Sequence, residues 1–261
     1  MKILITGLSK SGTTALYHAL KQSLPRYYTC LFEPRRHVAG GRSPFVLSKV
    51  LINVDVDAKI ENFDRFHRKI LLVRDPRDNL VSRLLYEIYD RKFLHDDGKV
   101  RLFLERLEQK RKTPSSISLL ELFRVLGKLS DADLVERAVR RIQAGLRFEA
   151  LHRGCFVYRY EHFVATRYAS LEAYLGFALK FSGNVGAGHR RVARTKSAGD
   201  WRNWFTMQDV EYFGPILREY MNKYGYEDEW TLNPGAEILP EHSTEYVMRL
   251  VRERRGMPAS A

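Results

Sequence analysis

The sequence predicts an α/β domain of the P-loop type: a three-layer domain with a central parallel sheet flanked by helices. Three observations predict it. Short apolar runs of strand length alternate with longer segments of helical period along the chain. The first such run feeds directly into a glycine loop and then a helix. Another, Lys69 to Val73, is followed by the turn signal Asp75-Pro76. Strands separated by crossover helices build parallel sheets.

Taken in order, Ile3 to Ile5 is a short buried strand. Thr14 to Leu24 has apolar residues at 15, 16, 19, 20 and 24, which is helical spacing. Tyr27 to Phe32 predicts the second strand and Lys69 to Val73 the next. Proline at the start of Pro76 to Asp90 suits the first turn of a helix. Residues 99 to 127 predict helix broken by Thr113-Pro-Ser-Ser116. Ser130 with Asp133 three residues on is a capping-box pattern for a long helix whose apolar face runs from Leu134 to Leu146. Cys155 to Tyr158 predicts a strand, followed by helix to about Phe181 and a glycine-rich loop from Ser182 to Gly188. Thr206 with Asp209 opens a last core helix that Gly225 closes near Tyr224. Glu241 to Arg254 predicts a helix lying on the surface.

The chain has 261 residues, 44% of them hydrophobic, which is ample for a core. Without an internal repeat or a Gly/Ser linker, residues 1–261 read as one domain. Residues 93–130 are a candidate acceptor-site lid or helical insertion, and 241–261 a surface helix and tail. The formal charge of +13 favours an anionic partner: nucleotide, polyanion, nucleic acid or acidic membrane. Two cysteines exclude a disulfide scaffold, and as reduced thiols they point to a cytoplasmic chain. No apolar run is long enough for a membrane span, though the charge leaves peripheral membrane contact open. No feature of the sequence reports the oligomeric state.

Two segments carry chemistry. Gly7-Leu-Ser9-Lys10-Ser11-Gly12-Thr13-Thr14 joins strand to helix with the glycine spacing of a phosphate-binding loop. Such a turn aims several N–H groups at one point, and the helix N-terminus adds its positive dipole end. The nucleotide-triphosphatase pattern needs lysine after the second glycine; here that position is Thr13 and the lysine lies inside the loop at Lys10. The alternative is a plain tight turn. The second segment begins at Arg74, just past a buried strand, where open α/β sheets bind ligands. Ser82 follows eight residues on, about two helical turns, so the two could meet on one phosphate. Alternatively Arg74 holds a carboxylate and Ser82 is an ordinary helix serine.

Lys10-Ser-Gly-Thr-Thr14 after a first strand resembles the phosphosulfate loop of the sulfotransferases that use 3′-phosphoadenosine 5′-phosphosulfate (PAPS). The resemblance implies that Lys10 contacts the oxygen bridging sulfur and phosphorus, with Ser9, Ser11, Gly12, Thr13 and Thr14 around the 5′-phosphate. Arg74 and Ser82 resemble the family's 3′-phosphate pair. Arg194-Thr-Lys196-Ser197-Ala-Gly199-Asp200-Trp201-Arg-Asn203-Trp-Phe205-Thr206 is similar to its C-terminal nucleotide loop, with Thr195-Lys196 replacing the usual Lys-Gly. This adds Arg194, Lys196, Ser197 and Gly199 to the nucleotide contacts, with Arg190 and Arg191 as further charge. Tyr160 resembles the strand-end tyrosine that faces adenine; His162 stands where the family has Asp.

Sulfuryl transfer is an in-line displacement that needs positioning, charge stabilisation and proton removal. It needs no metal, and the sequence reads as having no metal-ligand cluster. Phe32-Glu33-Pro34-Arg-Arg-His37 resembles the segment of carbohydrate sulfotransferases that carries the base. Glu33, expected buried with a raised pKa, is the first choice and His37 the second. The bland alternative is an ion pair of Glu33 with Arg35 or Arg77. The resemblance implies a small-molecule or glycan acceptor, already anionic if Arg35, Arg36, Lys110, Arg111 and Lys112 bind it. Rival readings are a P-loop small-molecule or nucleotide kinase, a polyanion-binding protein, and a non-catalytic relative. No nucleic-acid module is present.

Overall fold

The computed structural model describes residues 1–34, 38–52, 60, 62–183, 185, 194, 195 and 197–256. The chain divides into two compact units, one of residues 1–74 and 140–190, the other of 75–139 and 191–261. Among the described residues no helix is long and apolar enough to cross a membrane.

The first unit holds the sheet. Strands β1 (Lys2–Leu8), β2 (Thr29–Phe32), β3 (Val46–Ile52), β4 (Arg68–Val73) and β5 (Phe156–Arg159) lie in the order β2-β3-β1-β4-β5, every neighbouring pair parallel. The chain leaves β1 towards β2 and leaves β4 towards β5. Their adjacent carboxyl ends therefore form the switch point at which such sheets bind ligands. β1 is buried along its whole length, as a central parallel strand should be.

Alternation of side chains along β1 separates the two faces. Ile3 and Ile5 join Leu47, Ile70, Leu72 and Tyr158 on one face, covered by α1 (Thr13–Ser23), α6 (Tyr160–Val164) and α7 (Ala169–Leu175). On the other face Leu8 meets α5 (Leu134–Leu151) at Gly145, and Phe63 packs on Phe148 and His152. The predicted three-layer arrangement is therefore the observed one. β3 is the strand the sequence reading lacked: Ser48 and Lys49 interrupt its apolar run. The single helix expected up to Phe181 is two, broken where Thr166 takes a left-handed φ of 55°.

The second unit is helical. α2 (Pro76–Glu87) is buried at every residue except Tyr86, so its polar side chains must be paired internally. Glu87 accordingly bridges Arg83 and Arg91. The helix ends at Glu87, and a 3₁₀ turn carries the chain to Asp90. α3 (Asp97–Lys112) and α4 (Leu119–Ser130) replace the broken helix of residues 99–127. Ser130 does not cap α5. Its hydroxyl donates back to Leu126 and Gly127, and Asp133 alone accepts the amide of Glu136.

α8 (Trp201–Trp204) and α9 (Met207–Tyr224) follow. The predicted capping box of α9 is present, and Gly225 ends the helix at φ 68°. Asp209 also accepts the first amides of α4, from Leu119 and Leu120, so one carboxylate caps two helices. α10 (Thr244–Arg254) is not wholly superficial, because Tyr246, Val247, Leu250 and Val251 are buried. Most of the glycine-rich loop 182–188, the tail 257–261, and Arg35, Arg36, His37, Arg190, Arg191 and Lys196 lie outside the described residues.

Candidate functional site

In the sheet unit the glycine loop follows β1 at its carboxyl end. Its turn closes with the Ser11 amide donating to the Leu8 carbonyl at 3.2 Å. Lys10 takes a left-handed φ of 69° although it has a side chain, a conformation that costs energy unless surroundings enforce it. Arg74 supplies part of that enforcement, since its Nη1 donates to the Lys10 carbonyl at 3.0 Å. Gly12 begins α1 at φ 88°; no side chain caps it and the first turn holds no acidic residue. The amide end of the helix dipole is thus left for an anion.

Only glycine fits at position 12. A Cβ there would lie 2.3 Å from the ring of Tyr160, far inside contact distance. Tyr160 packs on Gly12 with one part of its ring, and the Arg74 guanidinium lies 4.6 Å from the ring centroid. The structure therefore brings Lys10, Gly12, Arg74 and Tyr160 together. Ser11, Thr13 and Thr14 are buried beside them, and Ser9 is half-buried. Among the described residues Arg74 Nε, which is buried, has no hydrogen-bond partner.

Glu33 follows β2. The register sets Phe32 opposite Lys49, and the Glu33 amide donates to the Lys49 carbonyl at 2.9 Å. Lys49 is 2% exposed, forms an ion pair with Glu33, and donates to Thr14 Oγ1 at 3.0 Å. It also lies 4.1 Å from the Phe32 ring centroid. Burial pushes the Lys49 ammonium below the ordinary lysine range, and Glu33 pushes it back up. Glu33 itself has a left-handed φ of 49° and a side chain 42% exposed. One expectation is thereby corrected: Glu33 is not a buried carboxyl in an apolar pocket. Among the described residues its ionic partner is Lys49; of the alternative partners, Arg77 pairs with Asp75 and Arg35 lies outside the described residues. His37 lies outside the described residues.

Lys49 is the site residue that sequence reasoning missed. Its signal was a lone cation inside the apolar run Val46 to Ile52. A buried lysine needs a partner, and parallel pairing with β2 supplies Glu33.

In the helical unit Asp75 caps α2, accepting the Arg77 amide, and both its oxygens take the Arg77 guanidinium. Arg77 lies between the rings of Trp201 and Trp230, at 4.0 and 5.1 Å. Asp78, fully buried in the first turn of α2, accepts the amides of Gly199 at 2.6 Å and Trp201 at 2.9 Å. This second missed residue ties the loop motif to the helix after Arg74. Arg194 donates to Asp200 Oδ2 at 2.6 Å and to the His242 carbonyl. Its side chain is 3% exposed, and Nε and Nη2 have no hydrogen-bond partner among the described residues. These two donors form a parallel fork, the geometry that takes two oxygens of one anion. Ser82 is buried in α2, Ser197 is exposed, Gly199 turns at φ 85°, and Lys196 lies outside the described residues.

The anion-binding expectation for Lys110, Arg111 and Lys112 does not survive intact. Lys110 is buried with its ammonium on the carbonyls of Pro114 and Ile117, while Arg111 and Lys112 pair with Glu108.

No protein-family model matches the sequence, and no curated protein matches it. Among solved structures the chain is similar to mouse sulfotransferase SULT7A1 complexed with PAP. The TM-score is 0.54 and the identity 16%, over 84% of each chain. The fold is that of a sulfotransferase. At this level of identity the likeness speaks for architecture alone.

Proposed function

We propose that the protein is a PAPS-dependent sulfotransferase acting on an acceptor hydroxyl, that of a carbohydrate or glycan. The observation that carries the reading is the Arg194 fork, two adjacent buried donors of one guanidinium with no hydrogen-bond partner among the described residues, together with Arg74 Nε at the switch point; elsewhere only single Nε atoms, such as those of Arg68, Arg83 and Arg91, are left so. Unpaired buried donors of this kind are costly, and an oxyanion-rich nucleotide relieves the cost. The uncapped, glycine-only start of α1 suits the same chemistry. The residues present thus fit the nucleotide.

By the sequence resemblance, Ser9 to Thr14 hold the 5′-phosphosulfate, and Arg74, Ser82, Arg194, Lys196, Ser197 and Gly199 hold the 3′-phosphate. Tyr160 shapes the loop under Arg74 in addition to any contact with adenine. PAPS supplies the activated sulfuryl group. Lys10 stabilises charge on the leaving phosphate. Glu33 accepts the acceptor proton, and Lys49 holds its carboxylate in place. The kinase reading is weakened by Asp75. The carboxylate that would hold magnesium after β4 has both oxygens on Arg77.

The test is acceptor-dependent release of PAP from PAPS, without magnesium, across neutral and anionic oligosaccharides and simple phenols. The proposal predicts turnover with a saccharide hydroxyl, lost in Lys10→Ala and Glu33→Gln. Turnover with phenols alone would move the acceptor class. Phosphoryl transfer from ATP would overturn the reading.

A further inference from the structure

The end of the sheet unit opposite the glycine loop has a chemistry that sulfuryl transfer does not use. Because all strands are parallel, the loops entering β2 and β3 lie at the amino ends of the strands, away from Lys10. Three aromatic rings meet there. Tyr27 stacks on Tyr28 at 5.5 Å between centroids, and Phe45 meets Tyr27 at 4.8 Å and Tyr28 at 5.4 Å. Tyr27 is 64% exposed and Phe45 37%. The two loops are tied together, the Thr29 amide donating to the Phe45 carbonyl and the terminal amine of Met1 to Pro44.

The described residues leading directly into β2 and β3 carry cations and no carboxylate, while Asp64 is exposed before β4 at the same end of the strands. Lys21, Arg26 and Arg42 are exposed, and none has an ion-pair partner among the described residues. Residues 1–54 contain one carboxylate, Glu33, against eight lysines and arginines. That carboxylate is held by Lys49 at the other end of the strands.

We infer that this face docks on an anionic lipid surface. Tyr27 and Phe45 hold amphipathic and apolar ring surface exposed beside these cations, the composition suited to the headgroup layer. The unpaired cations complement acidic headgroups. Docked in this way, the glycine loop at the opposite end of the strands stays turned to water. The inference is independent of the sulfotransferase reading, because it uses none of the site residues.

The test is co-sedimentation of the full chain with phosphatidylcholine vesicles, with and without about 30% phosphatidylserine, in about 0.1 M salt. The expected result is binding at least about tenfold tighter to the acidic vesicles. Arg26→Glu with Arg42→Glu should abolish that preference. Tyr27→Ser with Phe45→Ser should weaken binding several-fold, and Arg124→Glu with Lys128→Glu in the helical unit should change nothing. Equal melting temperatures establish folding, and single Arg26→Glu carries the test if the double variant melts early. No binding by the unaltered chain, or equal loss in the Arg124/Lys128 variant, overturns the inference. So does an Arg26→Glu, Arg42→Glu variant that loses binding to heparin beads while keeping its vesicle binding, which would mark a polysaccharide surface.

Discussion

Lys49 and Glu33 form an ion pair across neighbouring parallel strands, and the lysine's third contact is the hydroxyl of Thr14 in the first turn of α1. One buried ammonium thus ties the candidate base to the loop proposed to bind the donor. The pairing arises because β2 and β3 are in register with Phe32 opposite Lys49, which leaves Glu33 beside it. Lys49→Met should reduce kcat roughly 100-fold, the scale of general-base assistance. Stability should hold or rise, because the buried charge is gone and the partly exposed Glu33 is hydrated. Denaturant melts and kcat on the same protein check this. Lost stability with unchanged kcat would make the pair a prop of the fold.

Gly12→Ala should destabilise the sheet unit by roughly 2–4 kcal/mol, from left-handed strain plus overlap with Tyr160. Adding Tyr160→Ala should return the steric part and leave the strain. A double-mutant cycle by urea denaturation reads the two separately.

Asp78→Ala should cost about 3 kcal/mol, because two buried amides, Gly199 and Trp201, lose a charged acceptor together. Affinity for PAP should fall with the order of that loop. Calorimetry and thermal melts of the variant check both effects.

Lys110 gives a pH prediction. Burial depresses its ammonium to about 8, with Asp209 opposing. The unfolded chain keeps that proton up to the ordinary lysine value, so between these values it binds more protons than the folded chain. Stability must therefore rise with pH across that window. The gain from pH 8 to 10 should be roughly 2 kcal/mol relative to Lys110→Met, in which it is absent. Cys155, pushed up to about 11 by burial, acts in the opposite sense above its ordinary value of 9.0. The comparison with Lys110→Met at each pH removes that contribution.

Much of the architecture was legible where local chemistry and tertiary demand agree. Ile3 to Ile5 and Ile70 to Val73 are apolar because both sheet faces are covered. Thr206 and Asp209 form a local cap that needs no tertiary help. Legibility failed where a polar residue is satisfied at a distance. Lys49 made β3 look too polar for a strand, because its partner Glu33 becomes adjacent only through the register. Ser130 and Asp133 have capping spacing, yet the Ser130 hydroxyl finds Leu126 and Gly127 first. At the site, the loop and Arg74 could be read from spacing. The Asp78 clamp on Gly199 joins residues 121 positions apart, and no local pattern encodes it.

The central claim is that the chain binds a nucleotide with phosphates at both the 5′ and 3′ positions. Calorimetric titration with PAP, compared with AMP and ATP in the absence of magnesium, tests it most directly. The account predicts micromolar affinity for PAP and much weaker binding of AMP, with the difference lost in Arg194→Ala. Equal weakness for all three, with ATP binding restored by magnesium, would contradict it.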